Sequence, residues 1–197
     1  MGENLTNYLA QLKDATGEDV ISLRLAVQRA LCVYLLEEIT QANGYRHELD
    51  PDNGVKRGKL FFTRADGALP QLSILEDADP DRFPRRAGGD TDHPTEATRW
   101  ALLVQGWVKD DDANPTDPAL ELMADVTKAL AKLRKSGGPY GGDPPSEFRL
   151  GGLIAGLTME PGVARPPMEG VSDKAFFWKR IFITLVEDPN DPYKLPI

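Results

Sequence analysis

Histidine and cysteine are the scarcest reactive residues of this 197-residue chain, which contains two histidines and one cysteine. The histidines, His47 and His93, belong to no H-E-x-x-H motif, and no G-x-S-x-G motif or Cys/His constellation accompanies them. Glycine-rich segments around Gly138 and Gly152 lack the Lys-Ser/Thr pair that completes a phosphate-binding loop. We therefore predict that the protein is not an enzyme and carries no cofactor.

Long apolar runs and an excess of positive charge are also absent. No apolar run approaches the roughly 20 residues that a membrane-spanning helix needs. The net charge of −8 disfavours nonspecific binding to nucleic acid or to a membrane surface. The single cysteine, Cys32, has no partner within the chain, which favours a reducing compartment, and we interpret it as a buried packing residue. These features predict a soluble protein that has no membrane partner.

Apolar residues recur at spacings of three and four in three segments, which predicts three helices. They comprise a short helix over Leu5–Leu12 and two long helices over Asp19–Thr40 and Pro118–Lys135. On the third helix we expect a packed face formed by Leu120, Met123, Val126, Leu130 and Leu133.

Strand-forming segments separate and follow the long helices. They are Tyr45–Leu49, Val55–Thr63, Leu69–Leu75, Thr98–Val108, Leu153–Met159 and Ala175–Glu187. The turn after the first strand contains Gly54, where we expect a positive φ. The fold class is α+β: a mostly antiparallel sheet with two main helices packed on one face, plus a short N-terminal helix and an extended C-terminal tail. We divide the chain into an N-terminal extension (1–18), one domain (19–187) and a tail (188–197).

The acidic residues after the strand Thr98–Val108 partly match the ligand spacing of a calcium-binding loop. Asp110, Asp112, Asn114 and Glu121 match ligand positions of an EF-hand register, but Pro115 stands where that loop needs glycine. We interpret the stretch as a corner between a strand and a helix, with caps and acidic residues at the helix start. A small metal- or ligand-binding α+β domain remains an alternative from another functional class.

Two short basic clusters stand out against the acidic background. The first lies within Lys56–Lys59, and the second lies in a long loop over Glu76–Glu96. Both clusters are candidates for contact with an acidic partner or with DNA, and the alternative is a solvated hairpin and a solvated loop. The candidate residues are Arg57, Lys59, Arg82, Arg85 and Arg86.

Five short blocks occur in an order that is similar to one protein family. They are ITQANGY (39–45), VKRGK (55–59), LPQLSILE (69–76), WALLVQGWV (100–108) and NPTDPALELMADV (114–126). In their residues and in their order they resemble the tail terminator, or tail completion, proteins of long-tailed bacteriophages. The resemblance covers roughly Leu23–Glu187, and the order of the blocks carries it, because no single block is catalytic.

The resemblance implies a structural virion protein. Members of the family form a ring, typically hexameric, that caps the tail tube, stops its polymerisation and joins the tail to the head. The implied partners are further copies of the chain, the tail tube protein and a head-completion or neck protein, and the resemblance also implies passage of DNA through the ring lumen. The implied location is the head–tail junction of the virion, after assembly in the host cytoplasm. The N-terminal helix and the long loop over 77–96 look like additions to a terminator, so a head–tail connector or head-completion protein stays an alternative.

Overall fold

The computed structural model describes residues 5–17, 20–63, 67–77, 96–134, 148–169 and 172–196. Within these ranges lie the helices α1 (Leu5–Asp14), α2 (Leu23–Glu38) and α3 (Asp117–Arg134). The strands are β1 (Val55–Arg57), β2 (Gln71–Glu76), β3 (Glu96–Val108), β4 (Gly156–Met159), β5 (Val163–Arg165) and β6 (Ala175–Glu187). The predicted α+β class is confirmed.

The described strands form one mixed, mostly antiparallel sheet in the order β1-β2-β3-β6-β4, with β5 also paired to β6. Its centre is the antiparallel pair of β3 and β6, each 13 residues long, which stay in register from Glu96 opposite Glu187 to Val108 opposite Ala175. Among the described pairings, only that of β1 with β2 is parallel. The short, parallel strand β1 therefore closes one end of the sheet.

The alternation of residues along β3 and β6 gives the sheet a face covered by helices. Leu102, Val104, Phe177 and Ile181 are fully buried on that face. They belong to one core cluster that includes residues of α2 and α3 and the buried side of α1, namely Leu5, Tyr8, Leu9 and Leu12. Because burying one such apolar side chain contributes about 1.5–3 kcal/mol, α1 adds substantially to this core.

Both long helices differ from their predicted extent or orientation. α2 begins at Leu23 and ends at Glu38, inside the predicted range Asp19–Thr40. On α3, Leu120 is 46% exposed and Met123 only partly buried. The other three predicted residues, Val126, Leu130 and Leu133, are buried, and Ala119, Leu122 and Ala129 complete the packed face. The small residue Ala129 allows a close approach to α2, where the Tyr34 hydroxyl donates to the Ala129 carbonyl at 2.8 Å.

The predicted strand Tyr45–Leu49 is wrong, because this segment pairs with no other strand. The amides of Arg46 and His47 donate to the carboxylate of Asp125 on α3, and the amide of Leu49 donates to the Ile39 carbonyl. A helix carboxylate therefore satisfies backbone groups that a neighbouring strand would otherwise satisfy.

The strand predicted over Val55–Thr63 is also shorter, since it ends at Arg57 and Gly58 follows with φ at 68°. Gly54, for which we expected a positive φ, does not adopt one. Glycine is nevertheless required there, because a Cβ would lie 2.6 Å from the carbonyl oxygen of Asp50. This turn is held by the Asp50 carboxylate, which accepts from the amides of Asp52 and Asn53.

The strand predicted over Leu153–Met159 begins only at Gly156, and strand β5 was not predicted. Three residues are too few for a period to show in a sequence. Gly162, between the two strands, packs so closely that a Cβ would meet the Met123 sulfur at 2.3 Å. Of the predicted loops, residues 78–95 and 136–145 lie outside the described residues.

The C-terminal segment after Glu187 has neither helix nor strand, as predicted, but it lies on its own chain. The carbonyl of Pro192 accepts a hydrogen bond at 3.1 Å from the amide of Leu23, the first residue of α2. Leu195 is partly buried against the main core. Because of these contacts with α2 and the core, we expect the tail to contribute to the stability of its own chain.

Gly106 tests the packing between the central strands and the helical face. A Cβ at Gly106 would lie 2.1 Å from a ring carbon of Phe177 and 2.9 Å from a methyl group of Leu72. We expect Gly106→Ala to lower the free energy of unfolding by about 1–3 kcal/mol, because the overlap forces side chains off their rotamers. Gly156→Ala is the matched control: its Cβ meets nothing closer than 3.6 Å. Equal stability of the two variants in urea titrations would contradict this packing.

Leu195 tests the contact of the C-terminal segment with the core. We expect Leu195→Ala to lower the free energy of unfolding by about 1–2 kcal/mol, less than a fully buried leucine, because it is only partly buried. Its exposed neighbour gives the control, since Lys194→Ala should change stability by about 0.5 kcal/mol or less. Thermal unfolding measures both variants. A leucine variant as stable as the lysine variant would show that the segment is dispensable.

Candidate partner-binding groove beside strand β1

A basic groove of about 910 Å³ lies between α1, α2 and strand β1. Four of its lining residues are basic, and none of its described lining residues is acidic: the basic residues are Arg29, Lys56, Arg57 and Lys59. The remaining walls come from Tyr8 and Gln11 of α1, Leu25, Gln28, Cys32 and Val33 of α2, Val55 of β1, and Gly58 directly after β1. We call this surface the basic groove. It has the charge to attract an anionic group or an acidic partner.

The β1 wall of the groove is the edge of the sheet. In its parallel pairing with β2, the Leu72 amide donates to the Gly54 carbonyl and the Gly58 amide donates to the Ile74 carbonyl. Residues 54, 56 and 58 therefore bond toward β2, because backbone groups alternate in direction along a strand. The backbone groups of Val55 and Arg57 therefore point away from β2, at the outer edge of β1. An edge of this kind offers hydrogen-bonding groups to another chain.

Local contacts orient two of the lysines. The amine of Lys56 donates to the Asn53 side-chain oxygen at 2.6 Å. The backbone amide of Lys59 donates to the Ser73 hydroxyl at 3.2 Å, and its amine lies 5.6 Å from the ring centroid of Phe62. These contacts orient Lys56 within β1 and Lys59 two residues after it.

Two exposed apolar residues follow the basic cluster directly. Leu60 and Phe61 are 60% and 63% exposed, whereas Phe62 is buried against Trp107, with ring centroids 4.7 Å apart. Phe61 also lines a neighbouring hollow of about 480 Å³, together with Trp107 and Met168 among other residues. Adjacent large apolar side chains at this exposure, beside arginine and an open strand edge, are typical of a protein–protein interface.

The structure brings together two of the predicted contact residues, Arg57 and Lys59, and adds two that sequence reasoning missed. Arg29 lies on α2 and is brought to the groove only by the packing of that helix against β1. Lys56 stands inside the basic cluster itself, so counting every cation of that cluster would have found it. Arg82, Arg85 and Arg86 lie outside the described residues.

Cys32 forms part of the groove wall and is buried, as its interpretation as a packing residue predicted. Loss of solvent around the thiol raises its pKa to about 12, and the nearby charge of Arg57 opposes this rise. The thiolate form is therefore scarce near neutral pH, and Cys32 is not a nucleophile under those conditions.

The acidic stretch forms the predicted corner between β3 and α3. The Asp111 carboxylate accepts from the amides of Ala113 at 2.9 Å and Asn114 at 2.7 Å, and α3 begins at Asp117. Within the described ranges, no group of three or more His, Cys, Asp or Glu side chains is placed to hold a metal ion. The Asp111 carboxylate therefore holds the turn of this corner.

His47, which belongs to the segment Tyr45–Leu49 predicted as a strand, is largely enclosed. Its side chain is 14% exposed, and Nδ1 lies 2.9 Å from the Asp125 carboxylate that also accepts the backbone amides of Arg46 and His47. Asp125 thus fastens the segment after α2 to α3. The other histidine, His93, lies outside the described residues.

Two comparisons of the sequence with known proteins found no match. No protein-family model matches the chain, and no curated protein sequence does so. None of the described helices combines the length and the apolar character that crossing a membrane requires.

The thiol of Cys32 gives a test of groove burial. Because its pKa is about 12, only about one thiol in 10⁴ is ionised at pH 8, and we expect native protein to react with iodoacetamide far more slowly than an exposed thiol. Mass spectrometry after timed alkylation measures the rate. Protein unfolded in urea is the control and should react at the rate of a free cysteine. Equal rates for the native and unfolded protein would contradict the burial.

Proposed function

We propose that the chain is the subunit of a tail terminator ring, which caps the tail tube of a long-tailed bacteriophage and joins it to the head. The resemblance of the blocks between Leu23 and Glu187 supplies the family. The single structural observation in favour is the surface beside β1, where an open strand edge, the basic groove and two exposed apolar residues adjoin one another. A ring subunit needs such a surface for its neighbour.

The chemistry of this surface favours a structural role over catalysis. It combines guanidinium and ammonium groups with apolar anchors, Leu60 and Phe61, which is the composition of a contact surface. The one thiol of the groove is protonated at neutral pH because of its raised pKa. The groove residues can therefore bind and orient a partner, but they supply no nucleophile.

The proposed partners are further copies of the chain, the tail tube protein and a head-completion or neck protein. The proposed location is the head–tail junction of the virion. A net charge of −8 suits a ring through which DNA passes, because a predominantly acidic surface does not retain a polyanion.

Removal of the protein from the infecting virus tests the proposal. Without a terminator, tube polymerisation has no stop, so negative-stain micrographs should show tails of excessive and variable length that are not joined to heads. Supplying the wild-type chain from a plasmid should restore normal tails. Free tails of normal length would instead identify a neck or head-completion protein and would contradict the terminator proposal.

A surface variant connects this phenotype to the structure. Plasmid-borne chain carrying Leu60→Ser and Phe61→Ser should fold but fail to restore normal tails, because the apolar anchors are lost. Leu120→Ser removes another exposed leucine, on α3, and should restore tails like the wild type. Normal tails with the double variant would show that the surface beside β1 is not used.

A further inference from the structure

We propose that the basic groove of one copy binds the acidic corner, Asp110–Asp112, of a second copy of the chain. The inference rests on the proposed ring, in which copies contact one another, and it names the two surfaces that meet. Salt bridges from arginine side chains to aspartate carboxylates would form the contact, beside the open edge of β1.

The groove contributes unsatisfied positive charge. Arg29 and Arg57 are exposed, and neither guanidinium forms a hydrogen bond or ion pair with another described residue. The described groove walls contain no carboxylate that could neutralise them. Guanidinium groups bind carboxylates with paired N–H donors, so two such arginines lining one groove favour an acidic ligand.

The corner contributes the complementary negative charge on a fixed frame. The Asp111 carboxylate is occupied by the amides of Ala113 and Asn114, which holds the turn in shape. Asp110 and Asp112, on either side of it, form no ion pair with any described residue. A turn already held by internal hydrogen bonds loses less conformational entropy on binding than a flexible segment does.

A polypeptide fits the groove better than a nucleic acid. The Val55 and Arg57 backbone at the open edge presents carbonyl oxygens as well as amides, which suits the alternating groups of another main chain. Carbonyl oxygens repel phosphate groups. The net charge of −8 adds a general repulsion of nucleic acid, while it makes other copies of the chain suitable acidic partners.

The two surfaces lie in different parts of the fold, and this determines the kind of assembly. The groove lies at the β1 end of the sheet, whereas the corner connects the central strand β3 to α3. A contact between two different surfaces leaves one of each unused on every pair, so further copies can add until a ring closes. The proposed interface therefore has the polarity that a closed ring needs.

Charge reversal and charge exchange test this interface in virus complemented from a plasmid. Arg57→Glu alone and Asp112→Arg alone should each reduce the yield of joined particles by about tenfold or more, because each places like charges together. The chain that carries both changes should recover most of the loss. Lys194→Glu, which makes the same charge change on the C-terminal segment, should assemble normally. Single variants that assemble like the wild type, or no recovery in the double variant, would overturn the proposal.

Cross-linking gives a second readout that does not depend on infectivity. In a Cys32→Ala background, Lys56→Cys and Asp112→Cys should form disulfides between copies in purified particles under mild oxidation. Non-reducing gels should show a ladder of multimers, and either cysteine alone should not extend beyond dimers. Particles that contain the chain at the junction but yield only monomers would overturn the groove-to-corner contact while leaving the terminator proposal intact. In the same cysteine pair carrying Arg57→Glu, the ladder should be lost; an undiminished ladder together with loss of DNA from the particles would show that Arg57 contacts nucleic acid rather than the corner, and would overturn the proposal.

Discussion

The antiparallel pairing of β3 with β6 is the constraint on which the rest of the structure depends. Thirteen residues of each strand stay in register, so alternate residues from Trp100 to Val108 and from Ala175 to Leu185 form one face that is apolar apart from Lys179. A slip of one residue would turn that face toward the other side of the sheet. The helices pack on this face, and Gly106 lets the ring of Phe177 lie directly against β3. The position of every other strand follows from this pair.

The surface proposed for assembly is a consequence of how the sheet ends. β1 pairs with β2 over three residues only, and α2 packs against it from the helical side. No described strand pairs with the outer edge of β1, and α1, α2 and β1 leave a groove between them. The basic cluster falls on this edge. Charged residues at an edge discourage indiscriminate strand pairing, so that a partner must bring complementary charge.

Carboxylates hold the connections between elements in three places. Asp50 and Asp111 each accept two backbone amides in a turn, and Asp125 accepts the amides of Arg46 and His47 from the segment after α2. Hydrogen bonds from amides to a charged carboxylate are stronger than neutral ones. Some of the acidic residues therefore have a structural role. For this reason the number of aspartates does not by itself indicate a metal site.

Sequence alone determined the elements in which apolar residues repeat at regular spacing over a long segment. The strand Ala175–Glu187, the helix from Pro118 and the corner between β3 and α3 were predicted almost at their observed bounds, because alternation, helical spacing and caps are local properties. Arg57 and Lys59 were found as a cluster because they are neighbours in the chain. Only the tertiary structure decided the contacts between distant residues. Asp125 accepts backbone amides of the segment Tyr45–Leu49, which had been predicted as a strand, and the Pro192 carbonyl accepts the first amide of α2. The packing of α2 places Arg29 in the basic groove. These contacts depend on three-dimensional packing, and no local period in the sequence encodes them.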